Sequence, residues 1–65
     1  MKTKIKVHRA IHNITQAELA EKLGVTRQTI NAIEAGKYAP SVELALRMSK
    51  MFDVSVNELF QLDDE

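Results

Sequence analysis

Thr15-Gln16-Ala17-Glu18-Leu19-Ala20-Glu21-Lys22-Leu23-Gly24-Val25-Thr26-Arg27-Gln28-Thr29-Ile30-Asn31-Ala32-Ile33-Glu34-Ala35-Gly36 is the stretch whose reading decides the fold. It opens on an S/T-x-x-E capping box: the Thr15 hydroxyl can accept the backbone N–H of Glu18 while the Glu18 carboxylate reaches back to Thr15. A helix therefore starts there and runs to Leu23, and Gly24 supplies the left-handed position that closes it. Thr26 caps a second helix that continues to about Ala35 and stops before Gly36. Leu19 and Leu23 lie one turn apart on a buried face. Ala20 beside them is small enough to let the second helix approach, Val25 plugs the turn, and Ile30 with Ile33 completes the apolar seam. The result is two helices joined by a tight, glycine-containing turn spanning residues 16–35.

The same local signals continue outward. Good helix formers from about Lys4 to His12 predict a helix ending near Asn13. Ser41, behind Pro40, caps a helix with Val42, Ala45, Met48, Ser49 and Phe52 at helical spacing, and Ser55 caps a short one from Val56 to Phe60. A short extended pairing of the N-terminal residues with Gln61-Leu62-Asp63 is the only β structure the pattern admits. The fold class is all-α, a bundle of five short helices forming a single domain over residues 1–65 with its core over about 5–60.

At 65 residues the chain is close to the smallest size at which one hydrophobic core suffices, which leaves no space for a separate catalytic or ligand-binding domain. It has no cysteine, so disulfides and thiolate metal sites are excluded and a reducing compartment suits it. Lys2, Lys4, Lys6 and Arg9 interrupt any apolar N-terminal run, and no stretch of roughly 20 apolar residues exists to span a membrane. A cytoplasmic location follows as the expectation. The formal net charge is zero, yet all nine basic residues precede Met51 against four acidic ones there, a net +5. Residues 51–65 carry −5 through Asp53, Glu58, Asp63, Asp64 and Glu65. A chain polarised this way can turn a basic face toward phosphates.

Turning the 26–35 helix by 100° per residue sends Ile30 and Ile33 inward and Gln28, Asn31, Ala32 and Ala35 outward, with Arg27 and Thr29 on the flanks. Exposed polar residues usually only solvate a surface. These, however, are the types that read base edges: arginine pairs with guanine O6 and N7, glutamine or asparagine with adenine N6 and N7, and the threonine methyl touches thymine. Double-stranded DNA is the partner this helix suggests. His8 and His12 have a spacing that could chelate a metal, but no third ligand accompanies them and Arg9 stands where a metalloprotease motif carries glutamate. The run Asp63-Asp64-Glu65 reads as a solvated tail. Paired carboxylates, an activated nucleophile and a glycine-rich phosphate loop are all missing, so the sequence suggests no enzyme, cofactor, metal or small-molecule ligand.

Gln16, Ala20, Gly24, Val25, Ile30 and Ile33 stand in the register of Cro/C1-type (Xre) helix-turn-helix regulators, and the chain resembles that family. The resemblance extends through Glu34-Ala35-Gly36-Lys37, Pro40-Ser41-Val42-Glu43 and Phe52-Asp53-Val54-Ser55 and covers nearly the whole chain. It implies the five-helix fold of phage-repressor DNA-binding domains, with one helix in the major groove. It also implies that Arg27, Gln28, Thr29 and Asn31 face base edges, that Gln16 touches a phosphate, and that Thr26, Lys37 and Tyr38 contact the DNA backbone. Arg9 and Glu34 correspond to a buried ion pair.

The chain departs from that pattern in three places. His8 stands where leucine is common and Ser49 where alanine is frequent, which predicts a weaker core. Ala32 offers the groove only a methyl group. Leu44, Met51, Phe60 and Leu62 either close the core or form a two-fold dimer contact, which the resemblance favours. Such a homodimer places two recognition helices about 34 Å apart and calls for a pseudo-palindromic operator. The resulting expectation is a homodimeric repressor. A DNA-binding antitoxin of a toxin pair, or a protein-binding adaptor of the same fold, are the alternatives.

Overall fold

The computed structural model describes residues 1–64; Glu65, the end of the acidic run, lies outside them. Their element order is β1 (Lys2–Thr3), α1 (Ile5–His12), α2 (Gln16–Leu23), α3 (Arg27–Glu34), α4 (Val42–Phe52), α5 (Val56–Leu59) and β2 (Phe60–Gln61). This is the expected five-helix bundle, with the termini joined in a two-stranded sheet.

α2 to α5 begin where short polar side chains can accept orphan N–H groups, whereas α1 starts behind Lys4 without a side-chain cap. Thr15, Thr26, Ser41 and Ser55 each take extended backbone and accept the N–H three residues on. At Thr15 the box is complete: Glu18 N donates to Thr15 Oγ1 at 3.0 Å and Thr15 N donates to Glu18 Oε1 at 2.9 Å. Among the described residues, α1 to α4 also end alike. Asn13, Gly24, Gly36 and Asp53 adopt left-handed φ of 56°, 72°, 75° and 57°. The next residue's N–H then reaches back to the last turn, Ile14 to Arg9, Val25 to Ala20, Lys37 to Ala32 and Val54 to Ser49. Ile14, Val25 and Val54 fold onto the core after these turns, whereas Lys37 stays exposed.

Ile5, Leu19, Ile30, Ile33, Met48 and Leu59 are fully buried, drawing every helix into one cluster. Each such side chain contributes about 1.5–3 kcal/mol of transfer free energy. Ala20, also buried, belongs to the same cluster, and α2 packs against α3. Leu44 belongs to this cluster at 8% exposure, which corrects its place among the dimer candidates: its side chain is consumed by the protomer's own core.

The sheet is antiparallel, Lys2 opposite Gln61 and Thr3 opposite Phe60, one residue earlier than the sequence suggests. The reason lies in α5. Four residues suffice to bury Leu59, after which Phe60 turns to extended backbone and leaves the helix. Lys4 N donates to Leu59 O at 2.9 Å and fixes the register.

The two departures in the core both have partners. His8 is buried with its ring 5.9 Å from that of Phe52, and its Nε2 lies 3.6 Å from Glu58 Oε2. His12 meets the same Phe52 ring edge-on at 5.3 Å. The Ser49 hydroxyl donates to the Val54 carbonyl just past the end of α4. Among the described residues no buried side-chain nitrogen or oxygen lacks a partner.

Candidate nucleic-acid interface

α3 exposes the side chains its periodicity assigns to the outside except Ala32. Ile30 and Ile33 are fully buried, while Arg27, Gln28, Asn31 and Ala35 are exposed and Thr29 and Ala32 are half-buried. Gln16, at the first position of α2, lies beside them, and Gln16, Arg27, Gln28 and Asn31 together line a shallow cleft of about 360 Å³. The tight turn after Gly24 therefore brings the start of α2 and the start of α3 onto one surface.

The side chains of that surface differ in how freely they can bond. Gln28 has no hydrogen-bond partner for its amide among the described residues. The Thr29 hydroxyl lies 3.0 Å from that of Thr26, whose oxygen also accepts Thr29 N, so Thr29 is left chiefly with its methyl to offer. Both donors of Gln16 Nε2 are spent inside the chain, on Glu34 Oε1 at 3.1 Å and Asn31 Oδ1 at 3.3 Å. A phosphate contact by that amide group, as the family resemblance implies, requires one of these bonds to break. The backbone N–H of Gln16, at a helix start where such groups have no intrahelical partner, can serve the same purpose. Lys37 and Tyr38 are exposed in the turn that follows α3.

Behind the surface stands an ion pair. Arg9 Nε donates to Glu34 Oε2 at 2.6 Å and Nη2 to Glu34 Oε1 at 3.1 Å, and Nη1 reaches the Ile14 carbonyl at 3.2 Å. The hydrogen bond that Arg9 donates to Glu34, against the opposing effect of burial, raises the Arg9 pKa above its ordinary value. Thr3 Oγ1 donates to the Glu34 carbonyl, so β1 is tied to the end of α3 as well. Arg9, Glu34, Gln16, Asn31 and Arg27 thus form one connected polar network, with Arg27 Nε 3.5 Å from Gln16 Oε1. Sequence spacing placed Arg9 and Glu34 together only through the resemblance, and it gave no sign of the bridge through Gln16.

A second feature escaped the sequence altogether: Lys22, Arg47 and Lys50 gather around Leu23 and Met51 in an open cleft. Met51 is half-buried, packs against the core and shares this cleft with the three cations. Phe60 and Leu62 lie elsewhere, lining a cleft with Met1, Asn57 and Gln61. Leu62 is 63% exposed. Among the described residues, no group of three or more metal-ligating side chains occurs, and no helix is long and apolar enough to cross a membrane.

Residues 5–59 match the family model described as helix-turn-helix. The whole chain is 54% identical to an uncharacterized HTH-type transcriptional regulator of Methanocaldococcus jannaschii, covering 98% of that protein. It is 46% identical, again over its full length, to the regulator YgzD of Bacillus subtilis, covering 98% of it. Over 86% of the chain it is 41% identical to the HTH-type transcriptional activator BcrR of Enterococcus faecalis, of which it spans 28%.

Proposed function

The chain belongs to the Cro/C1-type helix-turn-helix family, the DNA-binding regulators of transcription rather than enzymes, and from that premise we propose a homodimeric repressor that occludes a promoter by binding a pseudo-palindromic operator. The observation that carries this reading is the surface that Gln16, at the start of α2, shares with the exposed polar side chains of Arg27, Gln28 and Asn31 on the first turns of α3, a helix held firmly from behind. In the proposal α3 lies in the major groove. Arg27, Gln28 and Asn31 meet base edges, Thr29 contributes its methyl, and the start of α2 at Gln16 with Thr26, Lys37 and Tyr38 meets phosphates. Phe60 and Leu62 are the residues proposed for the two-fold contact. Such a protein acts in the cytoplasm, beside the DNA it reads, as a single domain.

Selection of binding sites from random duplex DNA tests the proposal. A palindrome with half-sites one helical turn apart supports the dimer, and an unrepeated site with a monomeric sedimentation mass overturns it. A mobility shift that fails to weaken steeply with rising salt would remove DNA as the partner, because phosphate contacts release counterions. One relative is named as an activator, so the sign of regulation is read by a promoter–reporter fusion: derepression on deleting the gene supports a repressor, and loss of expression overturns it.

A further inference from the structure

Which end of the Asn31 amide faces outward follows from its neighbours. Glu34 engages Arg9 through both carboxylate oxygens and so meets Gln16 as an acceptor. Gln16 must turn its NH2 group toward it. At the other end of Gln16 stands Arg27 Nε, which only donates, so the Gln16 oxygen belongs there. An acceptor on one side and a donor on the other leave a single orientation for the Gln16 amide. Its second N–H then points at Asn31, and only an oxygen fits opposite it, at 3.3 Å. The Asn31 oxygen is therefore turned toward Gln16 and its NH2 group is left to face outward.

We propose that Asn31, oriented by Gln16, reads the major groove as a donor alone and selects guanine over adenine. This rests on the placement of α3 in the groove proposed above. Adenine offers N7 as an acceptor but N6 as a donor, so recognising it calls for both ends of an asparagine amide. Guanine offers only acceptors there, N7 and O6, and an outward N–H of Asn31 can donate to them while its oxygen stays with Gln16. The free amide of Gln28, by contrast, can serve adenine. Gln16 is on this account a positioning residue that sets specificity from the neighbouring helix.

Two measurements test it, the first without DNA. In the free protein, nuclear magnetic resonance should show the Gln16 side-chain NH2 protected from exchange and that of Asn31 exchanging as a solvated amide; the reverse pattern overturns the proposal. In the second, sites selected by the wild type are compared with those selected by variants whose thermal melting shows them folded. The wild type should favour guanine at a position that Asn31→Ala no longer discriminates, with a preference of roughly 5- to 150-fold, the range of one base contact. Gln16→Leu frees the Asn31 oxygen and should bring adenine at that position to within a few fold of guanine. Asn31→Asp, which keeps an oxygen for Gln16 but loses the donors, should shift the preference toward cytosine and serves if Gln16→Leu does not fold. Wild-type preference for adenine there, or guanine preference retained in either variant, overturns the assignment. Failure to enrich any sequence overturns the DNA reading of α3 and this proposal with it, whereas a defined site with adenine at that position overturns only this one.

Discussion

Arg9 and Glu34, 25 positions apart, meet through a 2.6 Å hydrogen bond with both side chains largely withdrawn from solvent, at 14% and 9% exposure. Removing one partner leaves the other charge buried and unpaired, which typically costs about 3–5 kcal/mol. A 65-residue domain has a total stability of only about 3–10 kcal/mol. Glu34→Ala should therefore lower the denaturation midpoint severely. The exposed pair between the N-terminal ammonium and Asp63, at 2.8 Å, is the control: Asp63→Asn should leave the midpoint almost unmoved. Urea titration of the two variants compares them, and equal losses would contradict the distinction.

Two glycines share a left-handed backbone but differ in what surrounds them. A Cβ on Gly24 would enter open space, whereas one on Gly36 would run into the Met1 carbonyl. Gly24→Ala should cost about 1–2 kcal/mol, the price of a left-handed alanine. Gly36→Ala must in addition displace the chain leading into β1. The amide of Lys4, bonded to the Leu59 carbonyl at the end of the sheet, should lose hydrogen-exchange protection in Gly36→Ala and keep it in Gly24→Ala.

The helices were legible because their boundaries are local events. A threonine or serine cap and a left-handed stop depend on neighbours three or four positions away, and periodicity then assigned Ile30 and Ile33 to the inside and Gln28 and Asn31 to the outside. What depends on distant chain was not legible. The length of α5, and hence the sheet register, is set by Leu59 filling the core and accepting from Lys4. The resemblance put Gln16 at a phosphate, and nothing in sequence spacing shows that Glu34 and Asn31 converge on its amide. Leu44 looked like surplus apolar surface because counting side chains does not reveal how much volume two packed helices leave to fill.

Glu18 links the capping box to pH. Its bonds with Thr15, backbone first, hold its carboxyl below the ordinary value of 4.5. In acid the unfolded chain takes up this proton before the folded one, so the contribution of Glu18 is present above 4.5 and is lost as pH falls through the folded value. Glu18→Gln can keep the geometry of the box without titrating. Its stability should fall less steeply than that of the wild type as pH is lowered from 4.5, as followed by circular dichroism; parallel curves would mean that Glu18 does not contribute to acid sensitivity.

Ser49 changes sign between sequence and structure. By family pattern an alanine at this position suits the core better, yet the hydroxyl donates to the Val54 carbonyl beyond the left-handed Asp53, tying the α4 end to the segment that leads into α5. Ser49→Ala removes that bond and should destabilise by about 1 kcal/mol, the usual net value of one internal hydrogen bond. A variant as stable as the wild type would show the tether to be dispensable.

Gln28 and Lys37 separate base reading from phosphate contact. Gln28 is exposed on the first turn of α3 with its amide free among the described residues, and Lys37 is exposed immediately past the end of that helix. A base reader and a phosphate contact leave different traces. Gln28→Ala should cost about 1–3 kcal/mol on the preferred operator and little on sites already altered at its base, so that specificity relaxes at one position. Lys37→Ala should weaken binding evenly across sequences and reduce the slope of log affinity against log salt by about 1. Mobility shifts on a panel of singly altered operators at several salt concentrations distinguish the two. An even loss for Gln28→Ala would move Gln28 to the phosphates, and an unchanged salt slope for Lys37→Ala would take Lys37 off the DNA, because a released counterion has no other signature in this assay.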